Sequence, residues 1–174
     1  MRNHKKKIAA ILFLLFANTT SQGSSSAMHK KYSFDEFTLE YRWSSDFQQI
    51  QFTISAPTNG WVALGLNTHN QLTGSDLTMF AVHNGIPVLD DCYIVAPGDH
   101  KADVTLGGKN DLRLNMQSVN LGHTILQFER DAIISDRYNL SLKPGQKIWV
   151  LLAYSTHPQF DHHSRKRIHR QIEL

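Results

Sequence analysis

The sequence predicts an all-β protein, an antiparallel immunoglobulin-like β-sandwich of about eight to ten strands, and three observations predict it. Apolar and polar residues alternate with a period of two through several short runs, as in Phe37, Leu39, Tyr41 and Trp43. Gly-, Pro- and Asn-rich turn signals separate those runs at regular intervals. No stretch of useful length carries the 3.6-residue apolar spacing of an amphipathic helix. With 174 residues and 41% hydrophobic content, the chain has the length of one domain and enough apolar material for its core. Short strands punctuated in this way pack as two antiparallel sheets.

The first residues stand outside that pattern. Arg2, Lys5, Lys6 and Lys7 precede the apolar run Ile8 to Ala17, which is too short to span a bilayer as a stable anchor and is followed by the polar stretch NTTSQGSSSA. Residues 1–23 are therefore expected to be a cleaved secretory signal, 24–33 a flexible N-terminal segment, and 34–174 the folded domain. The expected location is secreted or periplasmic, with no stable membrane span after cleavage. Without the leader, 14 Lys and Arg face 15 Asp and Glu, so the basic balance of the whole chain resides in the leader. A nucleic-acid partner is not expected, because it would require a persistent basic face.

The strands then follow in order. Phe37–Trp43 and Ile50–Ala56 alternate on either side of a short polar link, the pattern of a hairpin. Pro57-Thr58-Asn59-Gly60 turns the chain into Trp61–Leu66, a nearly continuous apolar run that reads as a strand covered on both faces. Gly65 leaves room there for another backbone or a ligand plane. Asn67 to Asp76 is a polar excursion, and Leu77 to Val82 returns to the core. Asn84-Gly85 marks a tight hairpin. Pro97-Gly98 ends the next strand, and Gly107-Gly108-Lys109-Asn110 forms a further loop. Thr124, Leu126 and Phe128 alternate in another strand; Lys143-Pro144-Gly145-Gln146 turns into the buried strand Ile148–Tyr154, and a last strand carries Ile168 and Ile172.

Chemistry-bearing residues are mostly histidines. Beyond the leader they are His29, His69, His83, His100, His123, His157, His162, His163 and His169, and three fall in the loop THPQFDHHS after the strand Ile148–Tyr154. A loop imidazole can offer one nitrogen to iron, copper or zinc while a group such as Asp161 fixes the other, although solvated loop histidines have the same appearance in sequence. Cys92, the single cysteine, lies among apolar residues and reads as a small core residue. No nucleophile elbow, zinc-protease helix or phosphate loop is present, and Asp90 and Asp91, adjacent on a strand, aim at opposite faces. Nothing in the sequence specifies an enzyme.

The strand WVALGL, a loop ending in GSD, and an apolar strand followed by HNG resemble the DOMON family, a β-sandwich module found beside dopamine β-monooxygenase and in the cytochrome part of cellobiose dehydrogenase. The resemblance runs from about Phe34 to the C-terminus. It implies a module that binds haem b, binds a sugar, or has no known ligand. In the haem-binding members one iron ligand is a methionine in the loop before GSD, and the other is a histidine in the loop before the last strand. His163, or its neighbour His162, matches the histidine; Leu72 stands at the methionine position. His69, three residues before Leu72, is the candidate replacement ligand. Trp61 and Asp76, with Asn67, Asn70, Thr73 and Ser75, would supply an aromatic and hydrogen-bonding groups to a polar ligand at the same sheet end. The expected function is thus an exported ligand-binding domain that holds haem b and exchanges electrons with a redox partner protein. The alternative is a haem-free sugar-binding or protein-interaction module.

Overall fold

Two sheets face each other across a core built by the period-two burial of their strands. The computed structural model describes residues 28–174. The leader expected at residues 1–23 and the start of the following segment lie outside the described residues. One sheet has five strands in the order β1 (His29–Phe34), β2 (Phe37–Trp43), β3 (Gln49–Ala56), β9 (His123–Asp131), β8 (Arg113–Asn120). The other has six in the order β11 (Lys166–Glu173), β10 (Lys147–Tyr154), β4 (Val62–Asn67), β5 (Asp76–His83), β6 (Ile86–Ala96), β7 (Asp99–Ala102). All pairings are antiparallel, and the helical element among the described residues is a four-residue 3₁₀ turn at Asp103–Leu106. No helix among those residues is long and apolar enough to cross a membrane.

The main core lies between the sheets. Phe37, Leu39, Tyr41, Trp43, Phe52 and Phe128 from one sheet meet Val62, Leu64, Leu66, Phe80, Val150 and Leu152 from the other. Each such side chain contributes on the order of 1.5–3 kcal/mol when fully buried. Asn84 and Gly85, with φ of 52° and 81°, make the two-residue β5–β6 turn that Asn-Gly predicts.

One boundary differs from the sequence reading. Residues 29–33, assigned above to a flexible segment, form with Phe34 an edge strand paired along its length with β2. Tyr32 stacks on Phe34 at 5.6 Å, and its hydroxyl donates to the Glu173 carbonyl at 3.0 Å, so the edge is closed by aromatic and backbone contacts rather than by core burial.

The six-stranded sheet is apolar on its outer face as well. Trp61, Ala63, Leu77, Met79, Ala81, Cys92, Ile94, Leu151 and Ala153 form a second buried cluster there, joined by Leu72 and Phe160. This explains the continuous apolar run in β4, which has no solvent face to alternate with. Gly65 belongs to this face, and the space above it is taken by Leu151 and Leu77 rather than left for a ligand.

Candidate functional site

Because side chains alternate along a strand, the register of the six-stranded sheet decides which residues share its outer face. One cross-strand row runs Arg167, Ala153, Ala63, Met79, Asp90. The next runs His169, Leu151, Gly65, Leu77, Cys92, Ala102. His100 on β7 faces Ile94 in the row beyond. The result is an apolar floor with its smallest side chains, Ala153 and Ala63, in the middle and polar residues at its margins.

Two loops rise over that floor. The first, between β10 and β11, carries His157, Phe160, Asp161, His162 and His163. It is fastened to the start of β4: Trp61 N–H donates to the His157 carbonyl at 3.0 Å and Trp61 Nε1–H to the His162 carbonyl at 3.2 Å. Thr58 Oγ1–H donates to the Ser155 carbonyl at 2.5 Å, and Gly60 passes so close to the Ser155 and His157 backbones that any Cβ there would collide with them. The imidazoles of His157 and His162 stack at 4.2 Å with 13° between their planes, and Phe160 meets the His83 ring edge-on at 5.4 Å. The second loop, between β4 and β5, is folded around Asn67, whose side-chain amide donates to the Gln71 and Thr73 carbonyls and to Ser75 Oγ. Its Leu72 side chain packs down against the outer cluster.

Floor and loops enclose a cavity of about 380 Å³, within the usual range for small-molecule sites. Ala63, Leu77, Met79, Leu151 and Ala153 form its base; Trp61, Leu72, Ile94 and Phe160 its walls; and Asp99, His100, Asp161, His162, His163 and Arg167 its polar margin. Burial pushes His100 below the usual imidazole range, so the neutral ring, with a free nitrogen lone pair, persists to lower pH than in water. A wider polar groove of about 600 Å³ between residues 106–111 and 131–138 contains no imidazole and no apolar floor.

Of the residues singled out in sequence, the structure brings His162, His163, Leu72 and Trp61 together around this cavity. It does not bring His69 or Asp76. His69 is exposed at the outside of its loop, where its Nδ1 meets Thr68 Oγ1 at 2.9 Å. Asp76 points to the inner side of β5, since Leu77 and Met79 take the outer one. There it forms a buried ion pair with Arg130 and accepts the Leu140 N–H at 2.8 Å. Asn67 and Ser75 are also spent on internal bonds, so the polar-ligand set expected from that loop does not form a site. His100, Met79 and Arg167 are the additions. Met79 lies inside the apolar strand β5, where nothing local distinguishes it from a core side chain, and His100 and Arg167 reach the cavity through the register of β6 with β7 and of β10 with β11.

Inside the sandwich, beneath the same sheet, lies a separate polar cluster of Asp76, Asp91, Asp103, Arg130 and Asn139, all at most 9% exposed. Burial pushes the Asp91 and Asp103 carboxyls up to about 7, with neighbouring carboxylates adding to the effect. Asp91 Oδ2 accepts the Asp111 N–H at 3.0 Å and Asp103 Oδ2 the Asn139 amide at 3.1 Å. Cys92, on the outer face, is buried and its thiol is pushed up to about 12, chiefly by burial, which leaves it a packed and unreactive residue. Among the described residues no three His, Cys, Asp or Glu side chains converge to hold a metal ion by themselves.

A family model described as the DOMON domain matches residues 33–155. Two DBH-like monooxygenase protein 1 sequences are similar to the chain: that of Mus musculus is 24% identical over 81% of the chain, that of Homo sapiens 27% identical over 83%. The chain spans less than a quarter of those relatives, 22% and 23% of their lengths. Among solved structures, the cytochrome b domain of pyranose dehydrogenase from Coprinopsis cinerea superposes with a TM-score of 0.59 and 10% identity, covering 82% of this chain and 80% of that one. The cytochrome domain of Myriococcum thermophilum cellobiose dehydrogenase gives 0.61 and 12%, covering 85% and 82%. At these identities the superpositions establish the shared fold.

Proposed function

The chain belongs to the DOMON domain family, and from that premise we propose that it is an exported ligand-binding module whose outer-face cavity takes haem b and whose role is electron transfer with a redox partner protein. The observation that carries this reading is the cavity itself, with two adjacent imidazoles, His162 and His163, over a floor flattened by Ala63 and Ala153. A flat macrocycle needs an extended apolar surface, and its iron needs a neutral nitrogen or a thioether. Both kinds of donor line the cavity, in His100, His162, His163 and Met79. Single imidazoles suit a metal that brings its equatorial ligands with it, as a porphyrin does. The two solved neighbours are titled as cytochrome domains, which supports the same assignment. The basic N-terminus and ten-residue apolar run support export.

The residues fit the group with one change from the pattern of methionine–histidine ligation. Leu72 lines the cavity where the resemblance places the methionine, so His163 would hold the iron from one side and His100, His162 or Met79, which line the same cavity, would supply the second donor. Bound haem supplies a one-electron couple. The chain's own residues exclude water from it: Trp61, Phe160 and Leu72 wall the cavity, and the hydrogen bonds from Trp61 hold the histidine loop in place. Leu72 is also the observation that favours a second reading, a haem-free apolar or sugar ligand. The visible spectrum of the chain reconstituted with haem, before and after reduction, separates the two.

A further inference from the structure

Arg167 stands at the end of the floor row that runs through Ala153 and Ala63 to Met79, and its side chain lines the cavity. Its neighbours Lys166 and Arg170 lie on the opposite face of β11, where they pair with Asp35 and Glu36. Arg167 makes no ion pair with any described residue. Of the two carboxylates at the cavity margin, Asp99 is held by Lys101 at 2.9 Å, and Asp161 is exposed on the loop above. The charge of Arg167 is felt along the strand, since after burial it is the cause that lowers His169 below the usual imidazole range. Antiparallel strands lie about 5 Å apart, so a flat molecule resting on Ala153 and Ala63 has its edge within reach of the guanidinium.

Building on the haem reading above, we propose that Arg167 anchors a carboxylate of the ligand, so that the cavity selects a planar apolar molecule with an acidic edge. A guanidinium fork fits a carboxylate in a bidentate manner, and at the mouth of an apolar cavity it is only partly screened by water. The opposite edge of the floor, at β7, presents His100 and the Asp99 carboxylate rather than a second fixed cation, which orients the acidic edge toward β11.

The test measures affinities of the chain and of its Arg167→Gln variant for haem, for protoporphyrin IX and for the dimethyl ester of each. The diacids are expected to bind the wild type about tenfold to a hundredfold more tightly than the esters, as one charge-assisted pair warrants. Arg167→Gln is expected to remove most of that preference while leaving ester binding within about twofold, and Arg167→Lys to restore part of it. Urea unfolding of the variant should match the wild type, because the side chain is exposed. Equal binding of acids and esters by the wild type, or an equal loss of both in the variant, overturns the anchor while leaving the cavity as a porphyrin site. Failure of the wild type to bind any of the four porphyrins overturns the haem reading together with the anchor.

Discussion

Replacing Arg130 with Met tests the buried charge cluster beneath the ligand-bearing sheet. Arg130 is 1% exposed and supplies the cation within a group that also holds the Asp76, Asp91 and Asp103 carboxyls. Its guanidinium pairs with Asp76 and donates to the Leu140 carbonyl at 2.9 Å. Removing one partner of such a pair leaves an uncompensated buried charge, at a cost of about 3–5 kcal/mol. At roughly 2–4 °C per kcal/mol for a domain of this size, the midpoint temperature should fall by about 6–20 °C. The loss should grow with pH. In the wild type, Asp91 and Asp103 hold their protons up to about 7, whereas in the unfolded chain they release them near 3.8, as a solvated aspartate does. Between those values the folded state binds more protons than the unfolded one, so stability falls as pH rises through that window and levels off above it. Arg130 is among the charges that lower both carboxyls. Without it they rise further, and each tenfold gain in proton affinity adds about 1.4 kcal/mol of loss per group at alkaline pH. Urea unfolding of wild type and Arg130→Met, followed by tryptophan fluorescence at pH 5 and pH 8, measures both effects. A loss under about 1 kcal/mol at pH 8, or the same loss at both pH values, refutes the reasoning.

Two further outcomes concern the cavity. His163→Ala should abolish stoichiometric haem binding in reconstituted protein without lowering stability by more than about 0.5 kcal/mol, since the side chain is exposed; full haem retention, read by titration of the Soret absorbance, removes the axial assignment. Leu72→Met should move the spectrum of the haem-loaded chain toward mixed sulfur and nitrogen ligation, because that side chain lines the cavity; an unchanged spectrum places the iron away from that wall.

Much of the sandwich was legible because its inner strands obey local rules. The alternation in β2, β3 and β9, the unbroken apolar run of β4 and the Asn84-Gly85 turn all follow from burial period and turn chemistry within a few residues. The edge strands were not legible. In β8, Leu114 and Met116 are exposed, and the strand is held by ladder hydrogen bonds to β9 rather than by a buried face. The same holds for β1, whose residues are half-buried in alternation. The site divides along similar lines. His162, His163 and Leu72 sit on loops whose position next to recognisable strands is readable from sequence. His100 and Arg167 enter through register, a non-local quantity: a one-residue slip of β7 or β11 would turn each away from the cavity. Asp76 could have been excluded earlier, since the apolar outer residues Leu77 and Met79 require the residue before them to face inward.

The absorption spectrum of the full chain reconstituted with haem, recorded before and after dithionite, tests the central claim most directly. The account predicts a Soret band at one haem per chain and sharp reduced α and β bands, as two strong axial donors drawn from the cavity residues would give. A visible region without bound-haem features after reconstitution would contradict it, and the cavity between β4, β5, β10 and the histidine loop would then belong to a ligand without iron.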